Sequence, residues 1–265
     1  MELSDALALV DSREDQKIFE EAKVVIKEHL AEAEAAPKKD YEQIGTLYYY
    51  LLRLSLHEHM SFETNTALDY YEKLLSNFSR REKTLFKEER KERRQRNLPI
   101  KIRAMQGKAF FKLMERYFSS LEIAYDEKDF VEARNRAYET KMDFRKKRYF
   151  FGRHYFDWFG YVFLDKSCRY GNSFLRWGMT GLTFVLFFGV LYSFLDFYQT
   201  GFQMVAAKSG FWLFNYFYFS IVTFTTLGFG DITPITGLQK LFVGAEVFSG
   251  YIMLGMFVNL IQKKL

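Results

Sequence analysis

Between Trp177 and Leu195 the chain runs for 19 residues without a charge. About 20 apolar residues are needed to cross the hydrocarbon of a bilayer as a helix. A lone run of that length satisfies its own backbone N–H and C=O groups only by coiling into one. A second run of the same kind extends from about Gly237 to Gln262. After Arg176 the charged residues are Asp196, Lys208, Asp231, Lys240, Glu246, Lys263 and Lys264, seven of the 71 in the chain. The overall hydrophobic fraction, 49%, conceals this division. The chain therefore reads as a charged helical part followed by an apolar membrane part. The expected fold class is an all-α membrane protein with two transmembrane helices.

What lies between the two runs narrows the reading. Phe211–Thr225 is apolar and aromatic but leads straight into Thr225-Thr226-Leu227-Gly228-Phe229-Gly230-Asp231, followed by Ile232-Thr233-Pro234. Non-helical backbone at membrane depth is tolerated only where it lines a cavity, so this stretch reads as a re-entrant pore helix that dips in and stops. A loop that strips water from a cation must replace the hydration shell with a column of carbonyl oxygens. Successive carbonyls point the same way only if the dihedrals alternate, and glycine alone reaches φ > 0 without a Cβ penalty. Gly228 and Gly230 occupy alternate positions. Thr226 adds a hydroxyl at the inner end, Leu227 and Phe229 can point away from the axis and pack behind it, and Asp231 falls at the mouth.

These residues resemble the T-x-G-[YF]-G-D signature of the two-transmembrane-helix potassium channel family. A glycine-rich turn between two ordinary helices is the plainer alternative, and the membrane-length flanks argue against it. The resemblance covers roughly residues 149–265 and is specific around 222–234. It implies K⁺ conduction by knock-on, with ions held by the carbonyls of Thr226, Leu227, Gly228 and Phe229 plus the Thr226 hydroxyl, and with Gly230 completing the loop. One chain supplies one loop and the cage needs four, so a homotetramer in the lipid bilayer follows. Thr225, Val222, Asp231 and Glu246 are the expected filter supports.

Two positions depart from the commonest pattern. Phe229 replaces tyrosine, and Val222 stands where some relatives carry a glutamate partner for the filter aspartate. Both imply fewer side-chain struts around the filter. Gly250, 19 residues after Asp231, matches a hinge glycine of simple potassium channels; close packing of Gly244, Ala245, Gly250 and Gly255 is the competing account. Asn259 reads as facing the inner pore. Glu246, the one acid in the second run, either faces protein or water behind the filter, bonded to pore-helix hydroxyls or amides, or sits shallow enough to reach outside water.

The first 148 residues are expected to form a cytosolic all-α domain of helical hairpins. Only three prolines occur; Pro37 and Pro99 break the charged part into blocks, and Pro234 follows the filter. Residues 12–35 read as a first helix with the stripe Phe19, Ala22, Ile26 and Leu30. Ile44, Leu47, Leu51 and Leu54 mark a second, and Leu68, Tyr71, Leu75 and Phe78 a third. Phe110, Leu113, Tyr117 and Leu121 mark a fourth, and Phe130, Ala133, Ala137 and Phe144 a fifth. Stacked hairpins have a weak tetratricopeptide flavour without a steady period. The run Arg80–Arg96 is either a solvated helix laced with ion pairs or a basic surface for anionic lipid or an acidic partner.

Residues 149–176 read as an interfacial amphipathic helix and linker, aromatic at head-group level, with an ordinary core helix as the alternative. Residues 177–265 form the pore module. Basic residues before Trp177 and after Gln262 put both termini in the cytosol of a cell-membrane protein. Two spans leave no place for an arginine-bearing voltage sensor.

The net charge of +5 is accounted for by that orientation signal and needs no nucleic acid. No nucleotide-binding or EF-hand motif occurs, the four histidines lack ligand spacing, and no basic leader precedes an apolar run. No enzymatic residue and no cofactor is expected, K⁺ being the permeant ion. The lone Cys168 fits a reducing compartment, either as a plain thiol or as a lipidation site. The N-terminal domain is expected to bind a cytosolic ligand or protein that gates the pore. The competing functions are a weakly selective cation channel and a membrane-anchored helical scaffold or sensor with a vestigial pore.

Overall fold

The structure is a computed structural model that describes residues 2–12, 16–57, 64–94, 100–200 and 212–262. Pro99, His59, Lys208, Lys263, Lys264 and the end of the basic run at Gln95–Arg96 lie outside the described residues. Every regular element among the described residues is a helix, and the chain is an all-α membrane protein. It divides into two compact units, Met1–Tyr155 and Phe156–Leu265.

The first unit contains α1 (Leu3–Ser12), α2 (Gln16–Ala35), α3 (Tyr41–His57), α4 (Thr64–Arg94), α5 (Ile100–Asp126) and α6 (Val131–Phe151). The helix expected over 12–35 is thus α2 alone, preceded by a separate short helix. Neighbours in sequence pack on one another, with α3 against α4 and α5 against α6 as the largest pairings. Local chemistry sets the joints. Asp40 caps α3, its Oδ1 accepting from the N–H groups of Glu42 (3.0 Å) and Gln43 (3.3 Å). Between α5 and α6 the chain reverses through Asp129, which takes the left-handed conformation at φ 56°.

The stripes on α2 and α3 are buried as their spacing requires, from Ala22 and Ile26 to Leu47, Leu51 and Leu54. On α4 Phe78 is fully buried as expected, together with Ala67, Leu74 and Leu85; Tyr71 and Leu75 pack partly buried on the core, and Leu68 is 47% exposed. On α5 the deepest residues are Phe111, Met114, Phe118 and Leu121. Phe130 stands exposed at the N-cap of α6. Gly45 of α3 lies so close to Phe78 that an added Cβ would stand 2.3 Å from its ring. That contact turns the Phe78 face of α4 toward α3.

Helix α6 is rich in basic residues that spacing alone would leave in solvent. Instead Arg145 and Arg148 converge on Glu115 of α5 at 2.6 and 3.2 Å. Lys141 pairs with Glu122, and Lys147 reaches Glu82 of α4 at 2.7 Å. The start of the basic run on α4 is likewise engaged: Arg81 meets Glu42 at 3.4 Å, and Arg80 lies over the Tyr41 ring. Near the α2–α3 joint, Tyr48 donates its hydroxyl to Glu34 at 2.7 Å, and burial followed by that carboxylate holds the phenol above its ordinary range.

The second unit contains α7 (Tyr155–Cys168), α8 (Phe174–Thr200), α9 (Trp212–Phe224) and α10 (Gly237–Gln262). At 1.5 Å per residue α8 and α10 are each about 40 Å long, more than the roughly 30 Å of hydrocarbon. Within the unit only 33% of the most apolar window of α8, and 17% of that of α10, is buried. Core helices of a water-soluble protein would be mostly covered, so these two belong in lipid or against further subunits. Helix α9 has 13 residues and is too short to cross. Tyr149–Phe151, placed by sequence in the segment 149–176, complete α6, and α7 occupies most of what remains of that segment.

Cys168 is buried, its thiol 3.8 Å from Met256 Sδ. A lipid chain on that sulfur is ruled out by its burial in this conformation.

Truncation of Phe78 to alanine should cost the first unit about 3–5 kcal/mol, the usual cost of emptying a core aromatic site. Leu68→Ala should cost less than about 0.5 kcal/mol. Thermal unfolding of the full chain, followed by exchange protection of α3 and α4, tests this; equal losses would contradict the assigned face of α4.

Candidate pore site

The stretch singled out by sequence follows α9 directly and is held by its own backbone. Helix α9 ends with carbonyls that no further helical turn would satisfy. The chain turns back onto them: Thr225 N–H bonds to Ile221 O at 2.9 Å, Thr226 N–H to Thr223 O at 3.0 Å, and Leu227 N–H to Val222 O at 2.9 Å. Gly228 N–H shares Val222 O at 3.4 Å. In a planar trans peptide the N–H and the preceding C=O point in opposite directions. The carbonyls of Thr225, Thr226 and Leu227 are therefore all directed away from the end of α9.

The sign of φ alternates along the same stretch. It is +61° at Thr226, +57° at Gly228 and +80° at Gly230, and negative at Leu227 and Phe229 between them. A Cβ on either glycine would meet nothing within 4 Å, so the demand for glycine is conformational, not spatial. Thr226 has no such freedom. A β-branched residue in the left-handed region is an outlier costing about 1–3 kcal/mol, a strain held by its surroundings.

The side chains of this stretch find no cover in the single chain: Leu227 is 62% and Phe229 66% exposed. The packing expected behind them is absent within one chain. Thr225, Thr226, Gly228, Gly230 and Asp231 are exposed as well. Thr225 returns its hydroxyl to Ile221 O at 2.6 Å. Asp231 accepts a hydrogen bond from the Tyr218 hydroxyl of α9. Val222, which offers the aspartate no polar partner, is itself buried in α9. Beyond Pro234 a capping box starts α10. Thr236 Oγ1 accepts from Gln239 N–H at 3.2 Å, while Gln239 Oε1 accepts from Thr236 N–H at 3.1 Å and Ile235 N–H at 2.8 Å.

Helix α10 meets α9 along one face. Glu246 is fully buried and bonds to Ser220 of α9 and, at 2.7 Å, to the Tyr192 hydroxyl of α8. One turn further on, Gly250 abuts the last carbonyl of α9: an added Cβ would lie 2.2 Å from Phe224 O. Close packing is therefore a constraint on Gly250 in this conformation. At Gly244 and Gly255 an added Cβ would meet nothing within 4 Å among the described residues. Asn259 is exposed, at the edge of the face that buries Met253, Met256 and Leu260. Below Gly250, the Trp177 indole donates to Met253 O at 2.8 Å and stacks on Phe257 at 4.8 Å.

Sequence reasoning missed Asp196, Tyr192, Tyr216, Ser220 and Tyr218. Asp196 entered only as a charge interrupting an apolar run, yet it is fully buried and accepts from the Tyr216 hydroxyl at 2.6 Å. The signal was there in the spacing: Tyr192 and Asp196, like Tyr216 and Ser220, stand four apart and share a helix face.

Two lipid-length helices, a short apolar helix between them and an ordered loop at its end define a two-span, pore-loop membrane protein. Residues 180–265 match the family model described as ion channel. No solved structure matches the chain.

Gly250→Ala should reduce ion flux through liposomes containing the full chain, since overpacking against rigid backbone costs about 1–3 kcal/mol. Gly255→Ala, with open space, should conduct normally. Equal behaviour of the two variants would refute the packing assigned to Gly250.

Proposed function

We propose that the chain is one subunit of a homotetrameric K⁺-selective channel. Ions are held between the carbonyls of Thr226, Leu227, Gly228 and Phe229, with the Thr226 hydroxyl at the inner end. The observation that carries this reading is the alternation of φ sign at Thr226, Gly228 and Gly230, together with N–H groups turned back onto α9. Such a backbone offers oxygen atoms in succession on the side away from α9, which is what a dehydrated cation requires. A chain keeping the loop for a fold reason alone would have no need of a strained threonine beside two left-handed glycines.

Four copies complete the cage. The exposure of Leu227 and Phe229, and of most of α10, supports a subunit whose loop and inner helix are covered by neighbours. Asp231 rings the outer mouth and concentrates cations there. Both termini lie in the cytosol by the distribution of basic residues, and α7 rests in the interface with Phe156 and Phe159 toward lipid. The helical N-terminal unit, continuous with α7 through Gly152–His154, acts as the regulatory part and takes a cytosolic ligand or protein. The Tyr218 strut on Asp231 favours sharp selectivity over the weakly selective alternative.

Purified protein in liposomes should pass K⁺ and exclude Na⁺ under opposed gradients, and cross-linking should trap four subunits. Gly228→Ala should abolish K⁺ flux, because an L side chain at φ +57° costs about 1–2 kcal/mol in each of four loops. Equal K⁺ and Na⁺ flux would replace this reading with a nonselective cation pore.

A further inference from the structure

The two fully buried acids of the second unit form a ladder between helices. Tyr216 of α9 donates to Asp196 Oδ2 of α8 at 2.6 Å. One turn along, Tyr192 of α8 donates to Glu246 Oε2 of α10 at 2.7 Å, and the other oxygen of that carboxyl bonds Ser220 of α9. Ser220 Oγ also stands 3.0 Å from Val185 O of α8. Because Tyr192 and Asp196, and likewise Tyr216 and Ser220, are spaced i,i+4, both rungs lie on one face of each helix. Helix α9 is held at two consecutive turns, and the strained Thr226 begins its loop one and a half turns beyond Ser220.

An apolar trio of similar volume would pack these helices at lower cost, because removing a carboxyl from water is expensive even when it is bonded. What bonded acids add is direction. A hydroxyl–carboxyl contact fixes a distance to a few tenths of an ångström, whereas apolar surfaces in lipid slide with little penalty. The quantity fixed is the position of α9, and Ile221, Val222 and Thr223 of α9 in turn hold the N–H groups of the loop.

We propose that Asp196 and Glu246 are positioning residues for ion discrimination: acting through Tyr216 and Ser220, they set where α9 stands and so the spacing of the carbonyls at Thr226 and Leu227. The assignment rests on the K⁺-channel reading above. Neither acid touches the ion.

The test is the K⁺/Na⁺ permeability ratio of the full chain in liposomes, with tetramer assembly followed by cross-linking. Glu246→Gln keeps an acceptor and a donor in place and should hold the ratio within about twofold. Glu246→Val should lower it about tenfold in channels that still assemble and conduct, and Asp196→Leu should do the same where Asp196→Asn does not. If Glu246→Val fails to assemble, Tyr192→Phe and Ser220→Ala decide, each removing one hydroxyl and each expected to lower the ratio about threefold. A ratio unchanged in Glu246→Val, or in both hydroxyl variants, overturns the positioning role. A wild-type ratio near unity overturns the K⁺-channel reading itself, independently of the ladder.

Discussion

The N–H groups that follow Phe224 have few acceptors within reach, and most of the second unit follows from where they go. At the end of a helix in lipid no water waits to satisfy the last carbonyls or the first N–H groups of the next segment. Turning Thr225, Thr226, Leu227 and Gly228 back onto Ile221, Val222 and Thr223 settles both shortages at once. It also fixes the opposite ends of the same peptide units, so the carbonyls face away together. Alternating φ is the condition for doing this over successive residues. The glycines are there for that condition, and Thr226 meets it under strain.

A loop so arranged is only as well placed as the helix that carries it. Helix α9 is short, apolar and surrounded by lipid-like side chains, so burial alone gives it little reason to stop at one depth. Beside an apolar cluster in which its Tyr216 and Phe219 meet Phe188 and Tyr192, it makes contacts that are polar or very close. Asp196 and Glu246 hold its side, Phe224 O sits against a glycine, and Gly189 of α8 approaches Phe217 so nearly that a Cβ would stand 2.4 Å from the ring. The first unit reaches its packing differently. It buries continuous apolar faces and then neutralises the basic α6 with acids from α4 and α5.

How much of this was legible in the sequence depended on the range of the interaction that decided it. The bounds of α10, Gly237–Gln262, and the existence of α9 follow from length and apolarity, which are local. The stripes on α2 and α3 follow from period. On α4 the period placed Phe78 correctly but put Leu68 on the buried face, where its neighbour Ala67 stands instead. At the site, the glycine spacing of the loop was readable, but the strut on Asp231 was sought at Val222 and is supplied by Tyr218. Cys168 reads from sequence as a plain thiol or a lipidation site, and the return of α10 brings Met256 Sδ to 3.8 Å from it.

Gly45 and Gly250 show the same device in two solvents. Each lacks a side chain so that another group can come within about 2.3 Å of where a Cβ would be. At Gly45 the visitor is the flexible ring of Phe78, and a methyl group there could be met by a small rotation. At Gly250 it is the backbone carbonyl of Phe224, which has no rotamer to change and is covalently joined to the loop. Any bend of α10 at Gly250 must therefore either carry Phe224 with it or open a gap at the base of Thr225. With Glu246 one turn above, held by Ser220, and Met253 one turn below, held by the Trp177 indole, the middle of α10 is tied to both neighbouring helices. Movement of the inner helix and the placement of the loop are thus coupled by contact, and each constrains the other.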